Sequence, residues 1–129
     1  IPDSISDDVA ALVEPTGNTV HDVIERAGLR VGEFVVVMGP GPIGLLAAMT
    51  ARAGGAREVV ITGANPDEAL RLPKARELGF KHVLNVQKED ALATVQDLGR
   101  AGALRWAGSR GGLGGCWWWD SAADGLLWR

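Results

Sequence analysis

The sequence has 129 residues, enough for one domain at most. Thirteen Lys and Arg against 16 Asp and Glu give a net charge of −3, which argues against nucleic acid and against an anionic membrane as partners. The single cysteine, Cys116, excludes an internal disulfide and indicates a cytoplasmic location. No apolar run reaches 18 residues and no leader opens the sequence, so neither a membrane span nor a signal peptide is predicted.

The first 30 residues predict two short helices. Ser6 is placed to cap a helix over residues 7–14, and Pro15 would end that helix. Asn18 is placed to cap a second helix, and Gly28 would end it.

Short apolar runs alternate with helical patterns over residues 31–97. The predicted strands are 34–38, 58–62 and 82–86, and the predicted helices are 43–53, 67–78 and 89–98. The first strand is continuously apolar, which is typical of a strand buried on both faces. Pro73 implies a kink or a later start in the second helix. The alternation predicts an α/β fold: a partial Rossmann-type parallel sheet with flanking helices, about one βαβαβ half.

Residues 39–44, which follow the first strand and open the first helix, read GPGPIG and match the pattern G-x-G-x-x-G. The pattern alone is weak, but its position after a strand and at the start of a helix is the one a dinucleotide site requires. Gly39 would allow the chain to turn sharply at the end of the strand, and Gly41 would allow a pyrophosphate to approach the backbone. Gly44 would allow the helix to pack closely on the strand. Amides at the helix start, from Ile43 onward after Pro42, would bind the phosphates. The alternative is a plain strand–turn–helix.

A dinucleotide site usually carries Asp or Glu at the end of its second strand, about 20 residues beyond the last glycine. Gly63 stands there. An acid would accept a ribose 2′-hydroxyl and repel a 2′-phosphate, so its absence favours NADP over NAD. Arg71, the nearest downstream cation, is either a partner for the 2′-phosphate or a solvated helix residue. Asp67 and Glu68 lie close to Arg71 in the sequence, and their negative charges oppose a preference for NADP. Two acids at this position are also typical of the start of a helix.

Three linked motifs cover most of residues 1–97: AALVEPTGNTVHDV, VGEFVVVMGPGPIGLLAAMTARAGGAREVVITG and RLPKARELGFKHVLNVQKED. Together they resemble the cofactor-binding part of the zinc-dependent medium-chain alcohol dehydrogenases, especially the sorbitol and threonine dehydrogenase-like members. The resemblance implies hydride transfer between a small alcohol or polyol and NADP or NAD, with zinc polarising the alcohol or carbonyl oxygen of the substrate. It also implies that residues 1–30 lead in from a catalytic domain, and it allows an oligomer.

The resemblance bears on the metal as well. Glu14 matches a glutamate that lies beside the catalytic zinc in related enzymes, sometimes as a ligand, so the resemblance implies a metal-ligand role for Glu14; the alternative is a helix-end carboxylate. Gly17, Asn18 and His21 match the form EPxGNxVH, which implies helix capping and packing near the cofactor. A catalytic zinc requires three protein ligands, and one cysteine with His21 and His82 in different elements does not supply them. This chain alone is expected to hold no zinc and to show no turnover.

Residues 98–129 contain all five tryptophans and eight of the 18 glycines, but no valine or isoleucine. No strand-like alternation is present, so an atypical tail is predicted where the family would continue with a valine-rich strand. The tail is interpreted as frame-shifted or disordered, or as an Arg/Gly/Trp interaction segment. The whole chain is interpreted as a dehydrogenase fragment. The alternatives are a non-catalytic nucleotide-binding module and a truncated, inactive gene product.

Overall fold

The structure, a computed structural model, describes residues 1–99, 104–109 and 116–120, with backbone only for residue 99 and the last two ranges. The α-helices are α1 (Asp7–Ala10), α2 (Val13–Val20), α3 (Pro42–Ala53), α4 (Arg71–Glu77) and α5 (Ala91–Gly99). The strands are β1 (Phe34–Met38), β2 (Glu58–Gly63), β3 (His82–Asn85), β4 (Leu104–Ser109) and β5 (Cys116–Asp120). A π-helical segment, His21–Arg26, continues α2, and a 3-10 turn, Asn65–Asp67, follows β2. None of the described helices is long and apolar enough to cross a bilayer.

The five strands form one sheet in the order β3-β2-β1-β4-β5. β1 pairs in parallel with β2 on one side and with β4 on the other; β3 extends β2 in parallel, and β5 is antiparallel to β4. The predicted α/β class and the parallel sheet of β1, β2 and β3 are confirmed. Because β2 and β4 flank β1 on opposite sides, the carboxyl end of β1 is the topological switch point, where ligands bind in such sheets.

β4 and β5 lie in the segment for which the sequence predicted no strand, and that prediction is wrong for residues 104–109 and 116–120. It depended on side-chain alternation, whereas pairing with β1 requires only main-chain N–H and C=O groups in register, from Phe34↔Leu104 to Met38↔Gly108. Tryptophan also favours strands, and β5 contains three of them in a row. The expectation of a frame-shifted or disordered tail lies outside the described residues where it concerns 100–103, 110–115 and 121–129.

β1 is the centre of the apolar core. Val35 and Val37 pack into a cluster with residues of α3 and α4, and Phe34 and Val36 pack into a second cluster that includes Val95 of α5. Each of these four residues is at most 2% exposed, whereas Met38, the last residue of β1, is 45% exposed. The prediction of a strand buried on both faces is confirmed for residues 34–37 but not for Met38. Helices cover both faces of the sheet.

Residues 1–30 are helical, but their boundaries differ from the prediction. Pro15 is the third residue of α2 and does not end a helix, because the first amides of a helix have no helical partner for a proline to remove. Asn18 does not cap a helix either: its Nδ2 donates to Glu14 Oε1 at 2.7 Å, one turn earlier in α2. Gly28 does follow the end of the helical segment, with a φ of +61°.

Pro73 shapes the connection from β2 to β3. α4 begins at Arg71, so Pro73 lies in its first turn and the later start that the proline implied is confirmed. The preceding residues form the 3-10 turn Asn65–Asp67 instead of a first helical turn. Asp67 therefore lies outside α4, in the connection that leaves β2.

Candidate functional site

The glycine loop, residues 39–44, leaves β1 at the switch point and turns directly into α3. Gly39 has a φ of +103°, which side chains rarely adopt, and its N–H donates to the Thr62 carbonyl of β2 at 2.8 Å. Gly41 precedes α3 with an extended backbone (φ −70°, ψ 174°), and Pro42 is the first helical residue. The loop is thus tied to β2, and beside it lie the first amides of α3, which have no partner within the helix.

Gly44 sets how closely α3 approaches the end of β1. A Cβ built on Gly44 would lie 2.0 Å from the carbonyl oxygen of Gly39 and 3.5 Å from Val37 Cγ1. Ala47 and Ala48 continue the close contact and are buried. The packing duty that the sequence assigned to Gly44 is therefore a steric requirement of this backbone.

A cleft of about 250 Å³ opens at the glycine loop. It is lined by Gly39, Pro40, Gly41, Pro42, Ile43, Gly44, Asp67 and Arg71. The structure thus brings together every residue that the sequence assigned to the cofactor except Gly63. A Cβ built on Gly41 meets no atom within 4 Å, so the space beside the loop at this point is open to a ligand.

Gly63, at the end of β2, packs against Pro40 and does not line the cleft. A Cβ there would lie 2.9 Å from Pro40 Cγ, 2.9 Å from Leu72 Cδ2 and 3.1 Å from Asp67 Oδ2. A side chain at position 63 therefore requires its neighbours to shift. Glycine is thus the residue that fits this position without such a shift.

Two cleft residues, Pro40 and Asp67, were not assigned to the site by the sequence. The carboxylate of Asp67 was interpreted as part of a helix-start pair. Its Oδ2 accepts a hydrogen bond from the Ala64 N–H at 3.0 Å, and its Oδ1 accepts one from Arg71 Nη1 at 3.0 Å. The side chain of Asp67 is 13% exposed and that of Arg71 is 56% exposed. The signal that could have found this pair is the four-residue spacing of an acid and an arginine just beyond β2.

A polar cluster anchors the residues on both sides of Asp67. The buried Asn85 side chain, at the end of β3, donates from Nδ2 to Asn65 Oδ1 at 2.9 Å and to the Glu68 carboxylate. Lys88 Nζ lies 3.3 Å from Glu68 Oε2. Asn65 and Glu68 are thus both held against the end of β3, and the connection that carries Asp67 is fixed between them.

The hydrogen bond from Asn85, followed by that from Lys88, lowers the pKa of Glu68 below its ordinary value. A carboxylate with a lowered folded-state pKa stabilises the fold above its unfolded pKa, and this contribution is lost as the pH falls through the folded-state value. We therefore expect Glu68→Gln to be less stable than the parent chain at pH 7, and we expect this difference to shrink as the pH is lowered below about 4.5. Urea unfolding at several pH values measures it.

Glu77→Gln is the matched control for Glu68→Gln, because it removes a carboxylate from an exposed pair with Lys74 on α4. A stability difference between Glu68→Gln and the parent chain that stays constant from pH 7 to pH 3 would contradict the prediction.

The residues considered for a metal lie apart. Glu14 is exposed on α2 and accepts the hydrogen bond from Asn18, His21 Nδ1 lies 2.6 Å from Glu25, and His82 Nε2 lies 3.5 Å from Glu58. Across the part of the chain that the structure describes, no three His, Cys, Asp or Glu residues come together as a metal site. Since a catalytic zinc takes three protein ligands, the described residues do not fit that metal.

Comparison with known proteins gives concordant results. The curated relatives include the L-threonine 3-dehydrogenases of Rhizobium etli (strain CIAT 652) and Anaeromyxobacter sp. (strain K), each 46% identical over 99 residues, which are 77% of this chain and 27% of the relative. Among solved structures, the 2R,3R-butanediol dehydrogenase of Bacillus subtilis matches with a TM-score of 0.63 and 31% identity, over 76% of this chain and 27% of that one.

The chain thus spans about a quarter of the length of the curated relatives that it matches. The model of the zinc-binding dehydrogenase family matches residues 42–106, half of the sequence, from Pro42, the first residue of α3, into β4. The chain belongs to the zinc-binding dehydrogenase family.

Proposed function

We propose that this chain forms the part of a zinc-type alcohol or polyol dehydrogenase that binds the pyrophosphate and adenosine of a nicotinamide dinucleotide. The observation that carries the proposal is the cleft at the glycine loop, which lies at the switch point and is lined by the first residues of α3. A helix N-terminus offers unpaired N–H groups and a partial positive charge, both of which suit a diphosphate.

Each part of the loop has a role in this binding. The amides of Ile43 and Gly44 follow Pro42 at the start of α3 and would donate to phosphate oxygens. The open space at Gly41 would admit the diphosphate close to the backbone. The cofactor, when bound, supplies the hydride acceptor of the reaction; the residues of this chain hold and orient it.

The adenosine end of the cleft favours NADP over NAD in this proposal. Position 63 carries no acid, so the end of β2 itself provides no carboxylate to repel a 2′-phosphate. Arg71 lines the cleft and keeps donors beyond the one used on Asp67, and a guanidinium matches phosphate geometry.

Zinc and the alcohol would be held by parts of the enzyme outside this chain. This follows from the length of the relatives and from the scatter of metal-ligating side chains through the described residues. We therefore propose that the chain binds the dinucleotide without turning over an alcohol by itself. The single cysteine of the sequence is consistent with a cytoplasmic location for the enzyme.

Calorimetric titration of the 129-residue chain with ADP-ribose and NADPH tests the proposal. We expect both to bind, and we expect Gly41→Val to weaken both by roughly tenfold or more, about 1.4 kcal/mol, because its side chain would occupy the space assigned to the diphosphate. The backbone at Gly41 suits valine, and the loss of a glycine cap costs about 1 kcal/mol at most.

Gly17→Ala is the control, because a Cβ at this position of α2 meets no atom within 4 Å and lies outside the loop. It should bind both ligands as the parent chain does. Absence of ADP-ribose binding at millimolar concentration, in a sample that unfolds cooperatively, would refute the proposed function.

A further inference from the structure

The carboxylate of Asp67 lies beside the end of β2, close to where an acid at position 63 would project. Its Oδ2 is 3.1 Å from the position that a Cβ on Gly63 would occupy. The acid comes from the 3-10 turn after β2 and not from the strand itself. A negative charge is therefore present at this end of the cleft, although β2 ends in glycine.

Three sets of contacts hold Asp67 in this place. The Ala64 N–H donates to Oδ2, and Arg71 donates to Oδ1. Asn65 and Glu68, the first and last residues of the 65–68 connection, are tied to the buried Asn85. Asp67 is therefore positioned before any ligand arrives, and its pairing with Arg71 partly neutralises the cation that a 2′-phosphate would use.

The Asp67–Arg71 pair differs from an ordinary ion pair on a helix surface. The Lys74–Glu77 pair of α4 is more than half exposed on both sides and lies outside the cleft. Asp67 is mostly buried, precedes α4, and lines the cleft together with Arg71. Among the described residues that line the cleft, Asp67 and Arg71 are thus the only charged ones.

We propose that Asp67 is the residue that sets the discrimination between a 2′-hydroxyl and a 2′-phosphate in this chain; this rests on the proposed function. With a 2′-hydroxyl, the carboxylate is an acceptor at the end of the cleft. With a 2′-phosphate, which carries close to two negative charges, the carboxylate repels the ligand and competes for Arg71. Asp67 thereby limits the preference for NADP that Gly63 and Arg71 would otherwise give.

Asp67→Asn tests this, because asparagine keeps an oxygen to accept the Ala64 N–H and loses the charge. The probes are NADH and NADPH, titrated against the 129-residue chain. We expect the ratio of NADPH affinity to NADH affinity to rise roughly tenfold, as the removal of one charge a few ångströms from a phosphate predicts. Glu77→Gln removes the same charge outside the cleft and should leave the ratio unchanged.

Arg71→Gln provides a second variant, since its side chain is mostly exposed and its replacement spares the core. We expect it to lower the same ratio roughly tenfold by weakening NADPH alone. An unchanged ratio in Asp67→Asn, or an equal rise in Glu77→Gln, would overturn the assignment while leaving dinucleotide binding intact. If the parent chain bound neither ligand, the proposed function would fail, and this assignment would fail with it.

Discussion

Gly44→Ala is expected to lower the free energy of unfolding by about 3 kcal/mol, at the upper end of the usual cost of overpacking. Its Cβ would lie 2.0 Å from the carbonyl oxygen of Gly39 and 3.2 Å from the carbonyl carbon. Both atoms belong to the backbone, so no side-chain rotation relieves the clash and α3 must move away from β1. Urea unfolding measures the loss, and titration with ADP-ribose should show that binding falls with it.

Two other glycines separate this effect from a general cost of adding a methyl group. Gly41→Ala places its Cβ in open space within the same loop, and Gly17→Ala places one in open space on α2. Gly17→Ala should stabilise the chain by about 0.5–1 kcal/mol through helix propensity. If Gly44→Ala were as stable as Gly41→Ala, the close approach of α3 to β1 would be wrong.

Gly63→Asp is expected to destabilise the chain by about 2–3 kcal/mol and to bring no gain in NADH affinity. By the usual pattern of dinucleotide sites, this substitution should restore binding of the ribose 2′-hydroxyl. In this structure the Cβ would press on Pro40 and Leu72, and the new carboxylate would lie near that of Asp67. Urea unfolding measures the loss of stability, and titration with NADH measures the affinity.

Gly63→Ala separates the steric part of this effect from the electrostatic part. Alanine adds the same Cβ without a charge, so we expect it to account for most of the loss in stability, with a further loss in Gly63→Asp from the two adjacent carboxylates. A Gly63→Asp chain that is as stable as the parent and binds NADH more tightly would show that Asp67 does not occupy this place.

The strands β1 to β3, the helix α3 and the glycine loop could be predicted from local sequence. A run of apolar residues such as 34–38, a proline at the first helical position and three glycines at set offsets each limit the backbone of a few neighbouring residues. Short-range signals were misleading at Pro15 and Asn18, because a proline in the first turn and an asparagine inside a helix are both tolerated once α2 packs on α3.

Contacts between distant segments decided the rest. The pairing of β4 with β1 depends on main-chain groups that no side-chain pattern reports. The crowding at Gly63 depends on Pro40 and Leu72, which belong to other elements. The place of Asp67 depends on Asn85, which lies eighteen residues further along and holds the connection around it. Strands, turns and helix starts depend on periodicity and turn chemistry, which act over a few residues, and so they could be predicted. Contacts across the sheet form only when distant segments fold together, and so they could not.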